Sequence, residues 1–164
     1  PKKWFEKDKE FDSLLSDRFL KQVDLALKGE LNIWNENIGG CLSLILLLDQ
    51  FTRNIFRDTP KAFEGDFQAL DLSLDAIKKG YLTEKNSGWR HFLLMPLMHS
   101  ENLAIQEMSL PLFQKYTNKK TYLFAKRHHD IINRFGRFPH RNQILGRVSS
   151  RGEVLFLAQP GSSF

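Results

Sequence analysis

Apolar residues recur at spacings of three and four along most of the chain, which is the repeat of an amphipathic α-helix. Phe11, Leu15 and Phe19 predict a first helix over 8–28. The segment 41–57 begins with two turns that are apolar on all sides, which is typical of a helix buried among other helices. No segment shows the strict alternation of apolar and polar residues that a half-buried β-strand has.

A third helix is predicted after Thr59, a suitable N-cap, and Pro60, which fits the first turn of a helix. Its predicted apolar face consists of Phe63, Phe67, Leu70, Leu74 and Ile77. The same repeat predicts further helices over 89–98, 100–117, 119–135 and 150–158. Because the connections are short, the pattern predicts one all-α domain over 1–164 with about seven helices.

The composition supports a single folded domain, since 41% of the 164 residues are hydrophobic. The longest apolar run, Cys41 to Leu48, is interrupted by Ser43 and is shorter than the roughly 20 residues of a membrane-spanning helix. The first ten residues have no apolar stretch after their lysines, unlike a secretory signal. Since the single cysteine cannot form an internal disulfide, we expect a cytoplasmic protein without a membrane partner.

The net charge of +5 is concentrated in one segment. Residues 126–151 contain seven basic residues and a single acid, Asp130, whereas basic and acidic residues balance over 1–125. Six of the seven basic residues are arginines, which suit fixed, two-pronged contacts with carboxylates or phosphates. Glycine and proline predict a loop over 135–150, called the arginine loop below. Its guanidinium groups repel one another unless an anion or acidic side chains lie between them.

A second polar group follows the apolar run of the helix over 41–57 and consists of Asp49, Gln50, Arg53, Asn54 and Arg57. All but Asp49 share one helix face, because they are separated by three, four and seven positions. Two interpretations remain open. The arginines could favour the helix C-terminus while Asp49 pairs with Arg53, or the whole group contributes to a binding site.

Three histidines are candidates for general acid or base catalysis: His99, His128 and His140. His99 stands at the junction of two predicted helices, where Ser100 and Glu101 have the residue types of a helix start. His128 lies on the apolar face of the helix over 119–135, where a packed core histidine is the more common case. His140 lies in the arginine loop.

The sequence HHD at 128–130 resembles part of the metal site of all-helical phosphohydrolases. Such a site needs a later acid, and after Asp130 the chain has no further Asp and only one Glu, so no metal site is predicted. The chain also lacks a glycine-rich phosphate loop, a dinucleotide-binding turn, a serine nucleophile elbow and a CxxC pair. We therefore expect no cofactor.

Four motifs are distinctive: LDQFTRNIFRDTPKAF, HSENLAIQE, RHHDIINRFGRFPHRNQILGR and PGSSF. They resemble a mainly bacterial family, domain of unknown function 924, and the similarity extends from Trp4 to Phe164. The resemblance implies an antiparallel helical array with a tetratricopeptide-like fold and no established activity. Where family members usually have an acid this chain has Met98 and Val148, and where they usually have proline it has Thr52.

If consecutive helices pair as hairpins, the polar end of the second helix, the junction at His99 and the arginine loop converge on one concave site. In particular, we expect Arg53, Arg57, Arg137 and Arg141 to meet there. The predicted ligand-binding residues are Asp49, Gln50, Arg53, Asn54, Arg57, Arg90, His99, Glu101, Arg127, Arg137, His140, Arg141 and Asn142. The predicted ligand is an anionic small molecule, such as a phosphate-bearing metabolite, or a peptide carboxylate.

Three other functions are compatible with the same residues. An enzyme would use one of the three histidines as acid or base while arginines stabilise developing charge. A binder of single-stranded RNA would combine the arginines with Phe135 and Phe138 stacked on bases. A structural or interaction scaffold would use the arginines only to pair with acids such as Asp49, Glu101 and Asp130.

Overall fold

The all-helical prediction is confirmed by the computed structural model, which describes residues 8–162. Helices make up 75% of the structure, and the described residues contain no β-strand. The seven helices of this part of the chain are α1 Lys9–Leu27, α2 in the consecutive segments Ile38–Ile45, Leu46–Phe51 and Thr52–Ile55, α3 Asp66–Lys78, α4 Ser87–His99, α5 Leu103–Tyr116, α6 Lys119–Phe135 and α7 Arg151–Leu157. The predicted domain over 1–164 also includes residues 1–7 and 163–164, which lie outside the described residues.

Helix α2 changes from an α-helix to a wider π-helix over Leu46–Phe51 and then returns to an α-helix. Within it, the Leu48 carbonyl accepts a hydrogen bond from the Thr52 hydroxyl at 2.7 Å. Gly65 packs directly against this carbonyl, since a Cβ at position 65 would lie 2.3 Å from the Leu48 oxygen. This close approach brings Asp66, the first residue of α3, beside the polar residues of α2.

Two apolar cores share helix α2. In the first, Leu44 and Leu48 of α2 cluster with Leu15 of α1. The second comprises buried residues of α2 and of the later helices, among them Cys41, Leu42, Ile45, Ala76, Leu93, Leu94, Leu97, Phe113 and Ala125. A small third core contains Ile131 and Phe138 and supports the arginine loop. Since α4, α5 and α6 also pack in sequence, the fold is the predicted helical array.

The start and the buried face of α3 differ from the prediction. Thr59 makes no side-chain cap, Pro60 begins a short 3-10 turn, and the α-helix begins only at Asp66. The predicted apolar face is also wrong at Phe67, which is 72% exposed. The buried residues of α3 are small ones, Ala69, Ser73 and Ala76, which allow α3 to lie close to its neighbours.

Candidate functional site

An open cleft of about 610 Å³ lies between the start of α3, the end of α4 and the arginine loop. The residues that line it include Phe63, Asp66, Phe67, His99 and Arg141. The cleft therefore combines an aromatic wall with ionisable groups, which is the usual composition of a small-molecule site.

The deepest charged group beside this cleft is Asp49, which is fully buried in the π-helical turn of α2. Its Oδ1 lies 2.6 Å from His99 Nδ1 and 3.1 Å from Arg53 Nη1, and its Oδ2 accepts a hydrogen bond from the Gln50 amide. Burial alone would raise the pKa of Asp49, but the charges of Arg53 and His99 and these hydrogen bonds lower it below its ordinary value. Asp49 is therefore a carboxylate, and because a carboxylate only accepts, His99 Nδ1 is the donor.

Two arginines share a second carboxylate, Asp66. Arg53 donates to both of its oxygens, at 2.7 and 3.0 Å, and Arg141 Nη1 donates to its Oδ2 at 3.0 Å. Arg141 Nη2 also donates to the His99 carbonyl at 3.1 Å. We call Asp49, Arg53, Asp66, His99 and Arg141 the cleft cluster, since these residues connect α2, α3, α4 and the arginine loop beside the cleft.

The guanidinium of Arg141 lies between two aromatic rings, 4.7 Å from the centroids of both Phe63 and Phe138. Burial, together with the charge of Arg53, lowers the pKa of Arg141 to about 10 although Asp66 opposes the shift. A guanidinium has five N–H groups, and two of those on Arg141 are used by the Asp66 and His99 contacts. Its Nε has no hydrogen-bond partner among residues 8–162.

The other two candidate histidines differ from His99. His128 is buried in α6, where its Nδ1 donates to the Phe124 carbonyl at 2.8 Å, and burial lowers its pKa to about 3. Burial and the charge of Arg141 lower the pKa of His140 to about 4. Both side chains are therefore neutral at neutral pH, and neither lines the cleft.

Arg57 does not converge with Arg53, contrary to the prediction. Its guanidinium donates two hydrogen bonds to Asp12 of α1, at 2.7 and 2.9 Å, and Asn54 donates to the same carboxylate. Asp12 is accessible to both because α1 packs along α2. These contacts join α1 to α2 and lie outside the cleft.

Arg90 and Arg127 also lie away from the cleft. Arg90 donates to the backbone carbonyls of Glu84 and Tyr116, so it connects α4 with the turn before it and with the end of α5. Arg127 is exposed on α6. The structure therefore does not bring these two residues to the predicted site.

Arg137 belongs to a separate set of ion pairs within the arginine loop, which corrects its predicted position. It donates to both oxygens of Glu153, at 2.7 and 2.8 Å, and Asn142 donates to the same carboxylate at 3.2 Å. Arg147 makes the equivalent two-pronged contact with Glu101, at 2.7 and 3.0 Å. We call Glu101, Arg137, Asn142, Arg147 and Glu153 the loop network.

The two carboxylates of the loop network are strongly held in their charged form. Hydrogen bonds from Arg137 and from the Ser150 N–H lower the pKa of Glu153 despite its burial. Burial raises the pKa of Glu101, but hydrogen bonds from Arg147 and other donors outweigh it and lower the pKa. Glu101 is not in the first turn of α5 as predicted, because Asn102 is the N-cap of that helix.

Sequence reasoning missed Asp66 and Phe63 as members of the site. The sequence pattern places Phe63 on an apolar helix face and Asp66 in an ordinary amphipathic repeat. A signal for Asp66 was nevertheless present, since the arginine excess required acids from elsewhere in the chain.

No group of three or more His, Cys, Asp or Glu side chains within residues 8–162 is arranged to hold a metal ion. The helices described are all too short or too polar to cross a membrane.

Comparison with known proteins finds relatives without an assigned function. The model of a family of bacterial proteins of unknown function, DUF924, matches residues 1–161. A solved structure, that of the protein of unknown function ATU0120 from Agrobacterium tumefaciens, is similar with a TM-score of 0.91 and 39% sequence identity. The similarity covers 96% of this chain and 89% of that one. No curated protein matches the chain.

Proposed function

The chain belongs to the DUF924 family of bacterial proteins of unknown function, and we propose that its cleft binds a small molecule through an anionic group. The observation that carries this proposal is the incomplete pairing of Arg141. Its charge is buried, it shares Asp66 with Arg53, and only two of its five N–H groups donate to acceptors within the described chain. A carboxylate or phosphate oxygen of a ligand would supply the missing acceptor.

The other arginines of the predicted site are already neutralised. Arg57 and Arg137 each make a two-pronged contact with a carboxylate of their own, Asp12 and Glu153. A ligand would therefore gain little at these positions, because it would have to displace a fixed acid. This contrast restricts the proposed site to the surroundings of Arg141.

The other residues that line the cleft favour a ligand that has an apolar part next to its anionic group. Phe63, Phe67 and Leu70 form an apolar wall of the cleft, and the Phe63 ring lies against the Arg141 guanidinium. Lys61 lies at the same cleft and adds a second cation, although it contacts Asp24 at 3.1 Å. A small carboxylic acid, a phosphate-bearing metabolite or a peptide C-terminus has these properties.

The buried thiol of Cys41, whose pKa burial raises to about 11, is in keeping with the proposed cytoplasmic location.

Titration calorimetry with inorganic phosphate, adipate and a short peptide with a free C-terminus tests the proposal. We expect saturable binding of at least one probe, with loss of binding in Arg141→Met, whose flexible apolar side chain can occupy the space between the two rings. Arg57→Met is the matched control, because it removes an ion-paired arginine outside the cleft. No saturable binding, or equal weakening in both variants, contradicts the proposal.

A further inference from the structure

We infer that the cleft is also an active site, in which His99, oriented by Asp49, removes a proton from a water molecule that hydrolyses an acyl ester. The inference rests on the proposed function for one feature only, the acidic group that the ester carries. Its structural basis is the 2.6 Å contact between His99 Nδ1 and Asp49 Oδ1 at the side of the cleft.

The Asp49–His99 pair has the geometry of a base held ready for proton transfer. Asp49 is fully buried, and the Gln50 and Arg53 contacts fix the orientation of its carboxylate. When His99 is in its neutral form, the bond to Asp49 holds the imidazole proton on Nδ1, so Nε2 carries the lone pair. No residue within 8–162 is hydrogen-bonded to His99 Nε2, and 16% of the side chain is exposed.

Water is the nucleophile that this arrangement indicates. Within the described residues, no serine, threonine or cysteine side chain is hydrogen-bonded to the His99 ring. The neighbouring Ser100 instead accepts a hydrogen bond from the Asn102 N–H at 3.2 Å. Since no side-chain nucleophile adjoins the base, the inference assigns the nucleophile to water, and addition of water to an acyl group is hydrolysis.

In the proposed reaction His99 takes one proton from water and later gives it to the leaving alkoxy oxygen, so the protein gains no net proton. The water oxygen attacks the ester carbonyl carbon while its proton moves to His99 Nε2, and the resulting imidazolium is stabilised by the Asp49 carboxylate. The tetrahedral intermediate then breaks its bond to the alkoxy oxygen, which takes the proton from His99. The products are a carboxylic acid and an alcohol, and His99 is again neutral.

The lining of the cleft specifies the class of ester. The acyl chain would lie along Phe63, Phe67 and Leu70, and its terminal anionic group would reach Arg141. Short aliphatic esters that carry a carboxylate or a phosphate at the far end of the acyl chain fit both features. A neutral ester of the same length would lack the ionic contact.

Hydrolysis of two matched chromogenic esters by the full-length protein tests the inference. Mono-p-nitrophenyl adipate carries the acid, and p-nitrophenyl hexanoate has the same chain length without it. We expect the adipate ester to be the better substrate and its kcat to fall about 100-fold or more in His99→Gln. His129→Gln is the control, because the ring of His129 is hydrogen-bonded to Asp130 and lies outside the cleft.

Asp49→Asn is a second variant. It tests whether Asp49 orients the His99 ring for catalysis or only stabilises the fold. The amide that replaces the carboxylate in this variant cannot hold the imidazole in the same tautomer, so we expect kcat to fall while KM changes little. We also expect slower turnover in D₂O than in H₂O for the wild type, which a purely structural role of the pair does not produce. Circular dichroism establishes that each variant is folded.

The outcomes distinguish the activity from the proposed binding function. Binding of adipate without turnover above that of His99→Gln overturns the inference and leaves the proposed function intact. Turnover that depends on His99 but is equal for the two esters overturns the acidic substrate class and contradicts the proposed function. Turnover that is unchanged in both His99→Gln and Asp49→Asn overturns the role of the pair.

Discussion

The loop network and the cleft cluster both combine arginines with carboxylates but pair them differently. In the loop network each arginine has its own carboxylate, as Arg137 has Glu153 and Arg147 has Glu101. In the cleft cluster Arg53 contacts both Asp49 and Asp66, and Arg141 makes only a single contact with the shared Asp66 carboxylate. A two-pronged contact with its own carboxylate neutralises each arginine of the loop network, whereas the single contact of Arg141 with a shared carboxylate leaves donors that a ligand can use.

This contrast explains why the concentration of arginines in the sequence did not by itself show which of them line the cleft. Glu153 accepts hydrogen bonds from Arg137, Asn142 and the Ser150 N–H, and so joins the arginine loop to the start of α7. These contacts favour the structural interpretation for this part of the arginine loop. Arg141 lies only four residues after Arg137, yet it turns towards α3 and the cleft.

The largest predicted effect on stability is at Asp49. Asp49→Ala removes a fully buried carboxylate that contacts Arg53 and His99, so two partly buried partners lose an acceptor. We expect the free energy of unfolding to fall by about 4 kcal/mol, measured by urea denaturation with circular dichroism. A smaller loss than in Glu153→Gln would show that the cleft cluster does not depend on its buried acid.

Gly65→Ala should have the next largest effect, because it disturbs the close contact of α3 with α2 and with it the cleft cluster. The new Cβ would lie 2.3 Å from the Leu48 carbonyl oxygen, a backbone atom that cannot move aside without distorting α2. We expect a loss of about 3 kcal/mol in the same measurement, since Asp66 would be pushed away from Arg53. Gly152→Ala in α7 is the control, because its nearest neighbour would be 3.9 Å away.

The fold was largely predictable from the sequence, because the spacing of apolar residues reports directly on helices. Helix α1 lies at Lys9–Leu27 against a predicted 8–28. The π-helical turn of α2 had no local signal, since LLLDQF continues an ordinary helical pattern. The pair of Asp49 with Arg53 was predicted from their spacing of four, but the pair of Asp12 with Arg57 was inaccessible, because these residues are distant in sequence and meet only through helix packing.

Glu153→Gln should have a moderate effect that depends on pH. Hydrogen bonds from Arg137 and others lower the pKa of Glu153 in the folded protein below its ordinary value of 4.5. The carboxylate therefore stabilises the fold above pH 4.5, and this contribution is lost as the pH falls below that value. We expect the variant to lose about 2 kcal/mol at pH 7 and progressively less, relative to wild type, below pH 4.5. Urea denaturation at pH 7 and pH 3 measures the difference, and a constant loss contradicts the role of the charge.

Phe67→Ala should leave the free energy of unfolding almost unchanged but should weaken the binding of a ligand in the cleft. Phe67 is 72% exposed, so its ring contributes little to either apolar core, and we expect a change within about 0.5 kcal/mol. An apolar ligand chain would nevertheless cover this ring on binding, so the affinity for adipate should fall. Val148→Ala is the matched control from the arginine loop, since Val148 is 89% exposed and does not line the cleft.

If Phe67→Ala weakens adipate binding and Val148→Ala does not, the exposed ring is part of a ligand surface. If the two variants bind adipate equally well, the apolar wall has no part in recognition, and the anionic group of the ligand must be sufficient for binding.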